Sequence, residues 1–451
     1  MAGIYKAYDI RGLYPEQIDE DIARKIGLAV QHILDEDDRQ NGNTVVVSRD
    51  MRSHSEPLAA ALIEGLRDGG LDVVDIGLAT TPMNYFAVGH LGAAGGVQVT
   101  ASHNPARYNG LKISRRDARP VSGDHGILVL EKAVAEGDLP VAEKRGGFDR
   151  ADIGDAYRER LLGALERPAG ARPLKVVVDA ANGMGTVYRS HLEAAGIEMI
   201  PLYFELDGTF PNHEANPLKL SNLNDLVNAV KEHDADLGVA FDGDADRAGF
   251  VDETGTPVGA DLATALIGAE LLEREGGGVV VYDLRSSRAV PERIRDANGE
   301  PVRERVGHSF IKATMRERDA IFGGELAGHY YFRELYTADS SLRAVYEMLN
   351  LLWKTGKPLS ELTQPLLRYA KSPETNFQVE DKQGKIEMLA EKYHDGEVDY
   401  LDGITVQYPT WWFNVRPSNT EPYLRLVCEA DTDAELKGHM DELVGLLGEP
   451  V

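Results

Sequence analysis

Three short valine runs, each leading into a polar turn that contains an aspartate, constrain the fold more than any other feature of the chain. Val45-Val46-Val47 precedes Ser48-Arg49-Asp50, Val176-Val177-Val178 precedes Asp179-Ala180-Ala181-Asn182-Gly183, and Val279-Val280-Val281 precedes Tyr282-Asp283-Leu284-Arg285. Continuous β-branched runs belong to strands buried on both faces, and their alternation with helix-like stretches predicts parallel α/β units. A second phrase, helix then glycine then strand, recurs at 66–76 and 191–202. Together the two recurrences predict three related α/β domains.

At about 150 residues per domain, 451 residues suggest about three such units, with two or four tolerable. The pattern changes near the end of the chain. Segments 403–408 and 423–429 read as strands and 433–447 as one amphipathic helix, so the tail predicts a smaller α+β domain. With breaks in the glycine- and charge-rich segments, the expected divisions are 1–147, 148–252, 253–366 and 367–451.

Charge narrows the function classes. The 48 Lys and Arg against 74 Asp and Glu leave a net charge of −26, which disfavours nucleic acid and anionic membrane as partners. An anionic ligand therefore needs a local basic cleft. The single cysteine, Cys428, makes neither an intramolecular disulfide nor, alone, a thiolate metal site, so a metal would sit on oxygen or imidazole. Segment 1–12 already carries Lys6, Asp9 and Arg11, unlike a secretory signal. The longest stretch without Lys, Arg, Asp or Glu, 76–106, is broken by Pro82, Asn84, His90, Gln98 and many glycines, unlike a membrane span. The expectation is a soluble, cytoplasmic protein.

Four segments have the composition of chemistry. Thr100-Ala101-Ser102-His103-Asn104-Pro105 follows an apolar strand-like stretch; its serine reads either as an approachable nucleophile or as part of an ordinary turn. It is not a Gly-x-Ser-x-Gly elbow, so hydrolase logic gains no support. Asp242-Gly243-Asp244-Ala245-Asp246-Arg247 follows the strand-like Leu237-Gly238-Val239-Ala240-Phe241 and sets three carboxylates at alternate positions, the spacing of a hard-cation site or of a solvated acidic turn. A calcium loop of the EF-hand type is excluded, because Arg247 stands where the sharp turn needs glycine and a strand precedes it. Arg416-Pro417-Ser418-Asn419-Thr420-Glu421-Pro422 reads as a phosphate cradle or a hairpin turn. Gly324-Glu325-Leu326-Ala327-Gly328-His329, with Gly307-His308-Ser309-Phe310-Ile311-Lys312 before it, offers a carboxylate to hold sugar hydroxyls, or ordinary hydrogen-bonded side chains.

Together with Tyr8-Asp9-Ile10-Arg11-Gly12, Tyr108-Asn109-Gly110-Leu111-Lys112 and Asp207-Gly208-Thr209-Phe210-Pro211-Asn212-His213, these strings, in this order, resemble the α-D-phosphohexomutase family, most closely its bacterial phosphomannomutase/phosphoglucomutase branch. The resemblance implies an α/β fold of three related domains with mixed sheets and a smaller C-terminal α+β domain around a central cleft. It implies that Ser102 is carried as a phosphoserine, with Asp242, Asp244 and Asp246 holding one Mg²⁺ against it. The reaction it implies moves the Ser102 phosphate to O6 of a hexose 1-phosphate; the resulting hexose 1,6-bisphosphate, also the activator, turns end for end and returns its other phosphate. Arg416, Ser418, Asn419 and Thr420 would cradle the distal phosphate and Glu325 the ring hydroxyls. Lys112 and His308 are the alternative general bases, while Tyr8, Arg11, Arg247, Arg285 and His329 would supply donors or positive charge.

Some positions depart from the family pattern. Ala327 replaces a frequent serine in the sugar clamp, Arg285 a frequent lysine, and Ala101 and Ala245 replace glycines. Asn419, where the phosphoglucosamine mutase branch has glycine, tilts the reading away from that branch. The alternatives are phosphoglucosamine mutase, a catalytically inactive metal- and phosphate-binding homologue, and a phosphatase or one-way kinase; no Gly-x-x-x-x-Gly-Lys-Ser/Thr loop supports the last. The expected partners are small sugar phosphates, with the chain a monomer or weak homodimer.

Overall fold

The structure is a computed structural model that describes residues 3–123, 126–418 and 423–451. Each valine run forms the predicted strand, at Thr44–Arg49, Lys175–Asp179 and Gly278–Asp283. The runs are buried on both faces, as their composition requires. Val46, Val176, Val178 and Val280 point into one core shared by all three units, whereas Val45 and Val47, Val177, and Val281 enter separate cores on the opposite faces.

The three units share one strand order. In the first, Asp72–Leu78, Thr44–Arg49 and Gly95–Val99 lie side by side in parallel, and Tyr108–Arg115 returns antiparallel to Gly95–Val99. The second repeats this with Glu198–Leu202, Lys175–Asp179, Leu237–Phe241 and the antiparallel Ala248–Asp252. The third does so with Gly299–Glu304, Gly278–Asp283, Phe322–Gly324 and the antiparallel Tyr330–Phe332. The three segments singled out for chemistry in these units, around Ser102, Asp242–Asp246 and Glu325–His329, therefore occupy one equivalent place: the connection from the third strand into its antiparallel partner. Each lies at the C-terminal end of a parallel strand, where α/β sheets place ligands.

The C-terminal domain is different. Its sheet runs in the order Ala370–Lys371, Tyr423–Ala430, Trp411–Pro417, Ile404–Gln407, Glu397–Asp399, with every pairing antiparallel and Thr375–Gln378 also on Tyr423–Ala430. Helices Lys382–Lys392 and Asp433–Leu447 cover it. Thr432 caps the second, its side chain accepting from the Glu435 N–H. Its core, built on Phe377, Leu389, Phe413, Leu426 and Leu443, is separate from the one that joins the other three units.

Two short edge strands cross the expected divisions at 147 and 252. Phe148–Arg150 adds to the edge of the first sheet and Pro257–Val258 to that of the second, so neither sheet stops at 147 or 252. Both are short edge strands in glycine- and charge-rich sequence, without the apolar periodicity that marks a strand. No helix among the described residues is long and apolar enough to cross a membrane.

Candidate active site

Ser102 sits at φ 51°, in the left-handed region that costs a non-glycine residue energy and recurs at functional sites. Its N–H donates to Thr100 Oγ1 at 2.9 Å, and Thr100 Oγ1 donates to the buried Asp50 at 2.7 Å. Arg52 gathers the rest of the loop. Its guanidinium donates to the carbonyls of Ser102 (2.8 Å), Asn104 (2.6 Å), Pro105 (2.9 Å) and Tyr108 (3.1 Å), while Asp50 balances its charge at 3.2 Å. Asp-x-Arg recurs at the end of the equivalent strand in the third unit, where Arg285 Nε donates to Asp283 at 3.0 Å.

The aspartate loop presses against this turn. A Cβ at Gly243 would lie 2.3 Å from the Ser102 carbonyl oxygen, so only glycine admits the approach. The Ser102 Oγ then reaches Asp242 Oδ2 at 2.9 Å. Asp242, Asp244 and Asp246 are all buried, and oxygen atoms from the three lie within 4.8 Å of one another. Asp242 Oδ1 accepts from the N–H groups of Asp246 and Arg247, and Asp244 Oδ2 accepts from Thr81 Oγ1 at 2.5 Å. Asp244 Oδ1, by contrast, has no hydrogen-bond partner among the described residues despite its burial. Burial, then repulsion from Asp246 and Asp244, pushes the Asp242 carboxyl well above its usual range. A crowded, incompletely satisfied set of hard oxygen atoms fits a divalent cation, with Asp242, Asp244 and Asp246 to hold it. Asp246, His329 and Asp339 form a second close group, but Asp339 is already paired with Lys312.

Positive charge surrounds the acids. Lys112 Nζ donates to Asp244 Oδ2 at 2.6 Å and also to Asp246. Burial works against that charge, yet Asp244 and Asp246 outweigh it and hold the ammonium well above its usual range. Arg247 Nε lies 3.8 Å from Asp242 and 3.3 Å from His329 Nε2. His329 is raised to about 9, Asp246 prevailing over burial. Its Nδ1 meets Glu325 Oε2 at 3.1 Å, an oxygen that also accepts from Tyr331 at 2.9 Å. Burial, then the Lys312 charge, lowers His308 to about 3 and keeps it neutral. Tyr8 packs edge-on against His308 at 5.2 Å, and Arg11 donates to Asn104 at 2.7 Å within the serine loop.

The same contacts run on into the C-terminal domain. Arg285 lies 3.8 Å from Glu325 and donates to Glu374 at 3.2 Å, and Arg416, on strand Trp411–Pro417, donates to Glu374 at 2.9 Å. The Ser418 N–H donates to the Tyr423 carbonyl at 2.9 Å. Asn419 and Thr420 lie outside the described residues. A continuous series of polar contacts thus links Ser102 to Arg416 through Asp242, Asp246, His329, Glu325, Arg285 and Glu374. Sequence reasoning overlooked Arg52, Thr81, Tyr331 and Glu374. The repeated Asp-x-Arg at two strand ends was the available signal for Arg52; the other three carry none.

A serine beside a cation-ready acid cluster, with arginines arrayed beyond it, defines a phosphoryl-transfer enzyme. The chain belongs to the α-D-phosphohexomutase family: it matches the phosphoglucomutase/phosphomannomutase alpha/beta/alpha domains I, II and III over residues 3–139, 155–255 and 260–369, and the C-terminal domain over 374–446. It is 40% identical to "Phosphohexose mutases" of Xanthomonas campestris over 436 residues, 96% of each chain. It is 38% identical to the phosphomannomutase of Escherichia coli K12 over 443 residues, again 96% of each. The crystal structure of a phosphoglucomutase/phosphomannomutase family protein from Burkholderia thailandensis superposes with a TM-score of 0.90 at 36% identity, covering 98% of this chain and 96% of that one. The chain is accordingly an isomerase-type phosphotransferase of a metal-dependent family.

Proposed function

We propose that the chain interconverts hexose 1-phosphates and hexose 6-phosphates, of mannose, glucose or both, through a phosphoserine at Ser102 and a hexose 1,6-bisphosphate. The observation that carries this reading is the buried Ser102 Oγ 2.9 Å from Asp242, at the edge of three clustered carboxylates. Bound Mg²⁺, held by Asp242, Asp244, Asp246 and the Ser102 phosphate, would neutralise charge on the transferring group, where phosphoryl transfer needs it. Lys112 and Arg247 add fixed positive charge at the same place. The O6 hydroxyl of a hexose 1-phosphate attacks phosphorus, the bond to Ser102 Oγ breaks as the bond to O6 forms, and the hydroxyl proton passes to a base. Lys112 and His308 are the two candidates for that base. Burial keeps His308 neutral but also makes it weakly basic; Lys112 keeps its proton while Asp244 and Asp246 face it and would release it more readily once a cation takes up their charge.

The bisphosphate then reorients. Glu325, its carboxylate oriented by His329 and Tyr331, holds ring hydroxyls in both orientations, while Arg416 and the loop after it receive the phosphate that is not reacting. Arg11, Tyr8 and Arg285 line the path with donors. A trace of hexose 1,6-bisphosphate primes Ser102 with its first phosphate. Small sugar phosphates are thus the partners of the site.

A phosphorus NMR time course on equal mannose 1-phosphate and glucose 1-phosphate, with Mg²⁺ and a trace of glucose 1,6-bisphosphate, tests the reading. Conversion of both to 6-phosphates without free phosphate is the expected result. Conversion of one alone means that the clamp around Glu325 and Ala327 discriminates, and release of inorganic phosphate would replace the mutase by a phosphatase.

A further inference from the structure

Glu374 stands in the C-terminal domain, in the turn between strands Ala370–Lys371 and Thr375–Gln378 of its sheet. Guanidinium groups from two domains meet on its carboxylate. Arg285 and Arg416 donate to Oε2 at 3.2 and 2.9 Å, and Arg425 donates to Oε1 at 3.1 Å. Arg416 and Arg425 are directly opposite each other on antiparallel strands, a position in which like charges repel. Arg285 comes from the third unit, where Asp283 fixes it on its other side. Burial opposes ionisation of Glu374, but Arg285, Arg416 and Arg425 hold its carboxyl below the usual range.

We propose that Glu374 is a positioning residue of the mutase: by binding Arg285 and Arg416 together it sets the spacing between the sugar clamp at Glu325 and the phosphate cradle at Arg416. The inference rests on the cradle role assigned to Arg416 above. Its physical basis is that a sugar phosphate has a fixed covalent span from ring hydroxyls to phosphate. The two groups that receive those ends belong to different domains, and the C-terminal domain has a hydrophobic core of its own. Packing through a shared core therefore does not set their separation. Charged and polar contacts between the domains do, among them Lys371 with Asp261, Arg288 with the Trp411 carbonyl and Arg303 with Asp399. Glu374 is the contact in this set that takes hold of Arg285 and Arg416. The same spacing must serve the 1-phosphate and the 6-phosphate, so the contact acts on binding in both orientations.

The test compares full-length Glu374→Gln, Glu374→Asp and Arg416→Ala with the natural chain, measuring kcat and KM for mannose 1-phosphate and glucose 1-phosphate together with Tm. Glutamine keeps the shape and one acceptor but loses the charge that makes the bridge strong. The expected result for Glu374→Gln is a KM raised about tenfold with kcat within threefold and Tm little changed, partly recovered in Glu374→Asp. If Glu374→Gln does not fold, Arg425→Gln, which removes one contact, carries the same expectation at smaller size. A KM within twofold of the natural chain in Glu374→Gln, with Arg416→Ala impaired, overturns the inference and leaves the cradle standing. An unimpaired Arg416→Ala overturns the cradle itself. A parallel fall in Tm and kcat, with KM unmoved, would reduce Glu374 to a structural contact and also defeat the proposal.

Discussion

Ser102 and Asp242 meet across 140 positions of sequence, the serine Oγ donating to the aspartate Oδ2 at 2.9 Å. The contact exists because two equivalent strand ends, one in each of the first two units, face each other with only Gly243 between the backbones. Replacing Ser102 by alanine removes the phosphate carrier and leaves the acid cluster and cradle in place. Turnover should vanish while sugar phosphate binding, measured by calorimetry, stays within a few fold. Wild-type-like rates in that variant would end the phosphoserine assignment.

The acid cluster makes a prediction about the metal that needs no activity assay. Asp242 is pushed upward by burial and by its neighbours Asp246 and Asp244, so its charge is unfavourable until a cation arrives. Asp242→Asn should raise Tm by a few degrees in chelator and should lose the further rise that Mg²⁺ gives the natural chain. Calorimetry with Mg²⁺ or Mn²⁺ reads the same loss directly. A Tm that responds equally to Mg²⁺ in both proteins would remove Asp242 from the metal site.

Arg52 is a loop organiser, because one buried guanidinium satisfies four carbonyls of the segment that carries Ser102. Lysine keeps the charge but not the planar fork. Arg52→Lys should cost about 2–3 kcal/mol in stability, the cost of leaving buried carbonyls unpaired. It should also lower kcat at least tenfold with a smaller change in KM, since the loop that carries the reacting group loosens. Denaturant unfolding and steady-state kinetics check both halves.

His191 gives the stability curve an acid limb. Burial, then the nearby Arg158 charge, lowers it to about 4, and its Nε2 is buried with no hydrogen-bond partner among the described residues. The folded value lies below the ordinary ~6.5, so the unfolded chain takes up a proton that the folded chain refuses. This contribution is complete above about pH 6.5 and declines as pH falls toward 4. His191→Asn should flatten the fall of Tm between neutral and mildly acidic pH relative to the natural chain; identical profiles would assign the limb to other groups.

Cys428 reports on the C-terminal domain. It is buried in that domain's core, and burial with the adjacent Glu429 charge pushes its thiol up to about 12. Thiol reagents should label the native protein very slowly and the denatured protein at once. Rapid labelling under native conditions would show that this core opens readily.

Much of this architecture was legible along the chain because it depends on local pattern. The strands at Thr44–Arg49, Lys175–Asp179 and Gly278–Asp283 follow from β-branched runs, and the helix Asp433–Leu447 from its amphipathic pattern. The short loops around Ser102, Asp242 and Glu325 could be singled out because polar residues at the end of a buried strand are confined to a turn. What packing alone decided is which of these ends meet. Arg52 finds its carbonyls 50 to 56 positions away, and Lys112 finds Asp244 and Asp246 at 132 and 134. Glu374 collects arginines 42 to 89 positions distant. The edge strands at Phe148–Arg150 and Pro257–Val258 belong to the same class, since they pair through backbone hydrogen bonds that no side-chain pattern announces. Periodicity encodes what a residue does to its own segment. The partner of a buried charge is set by how the units dock, a property of the shared core rather than of any one stretch of chain.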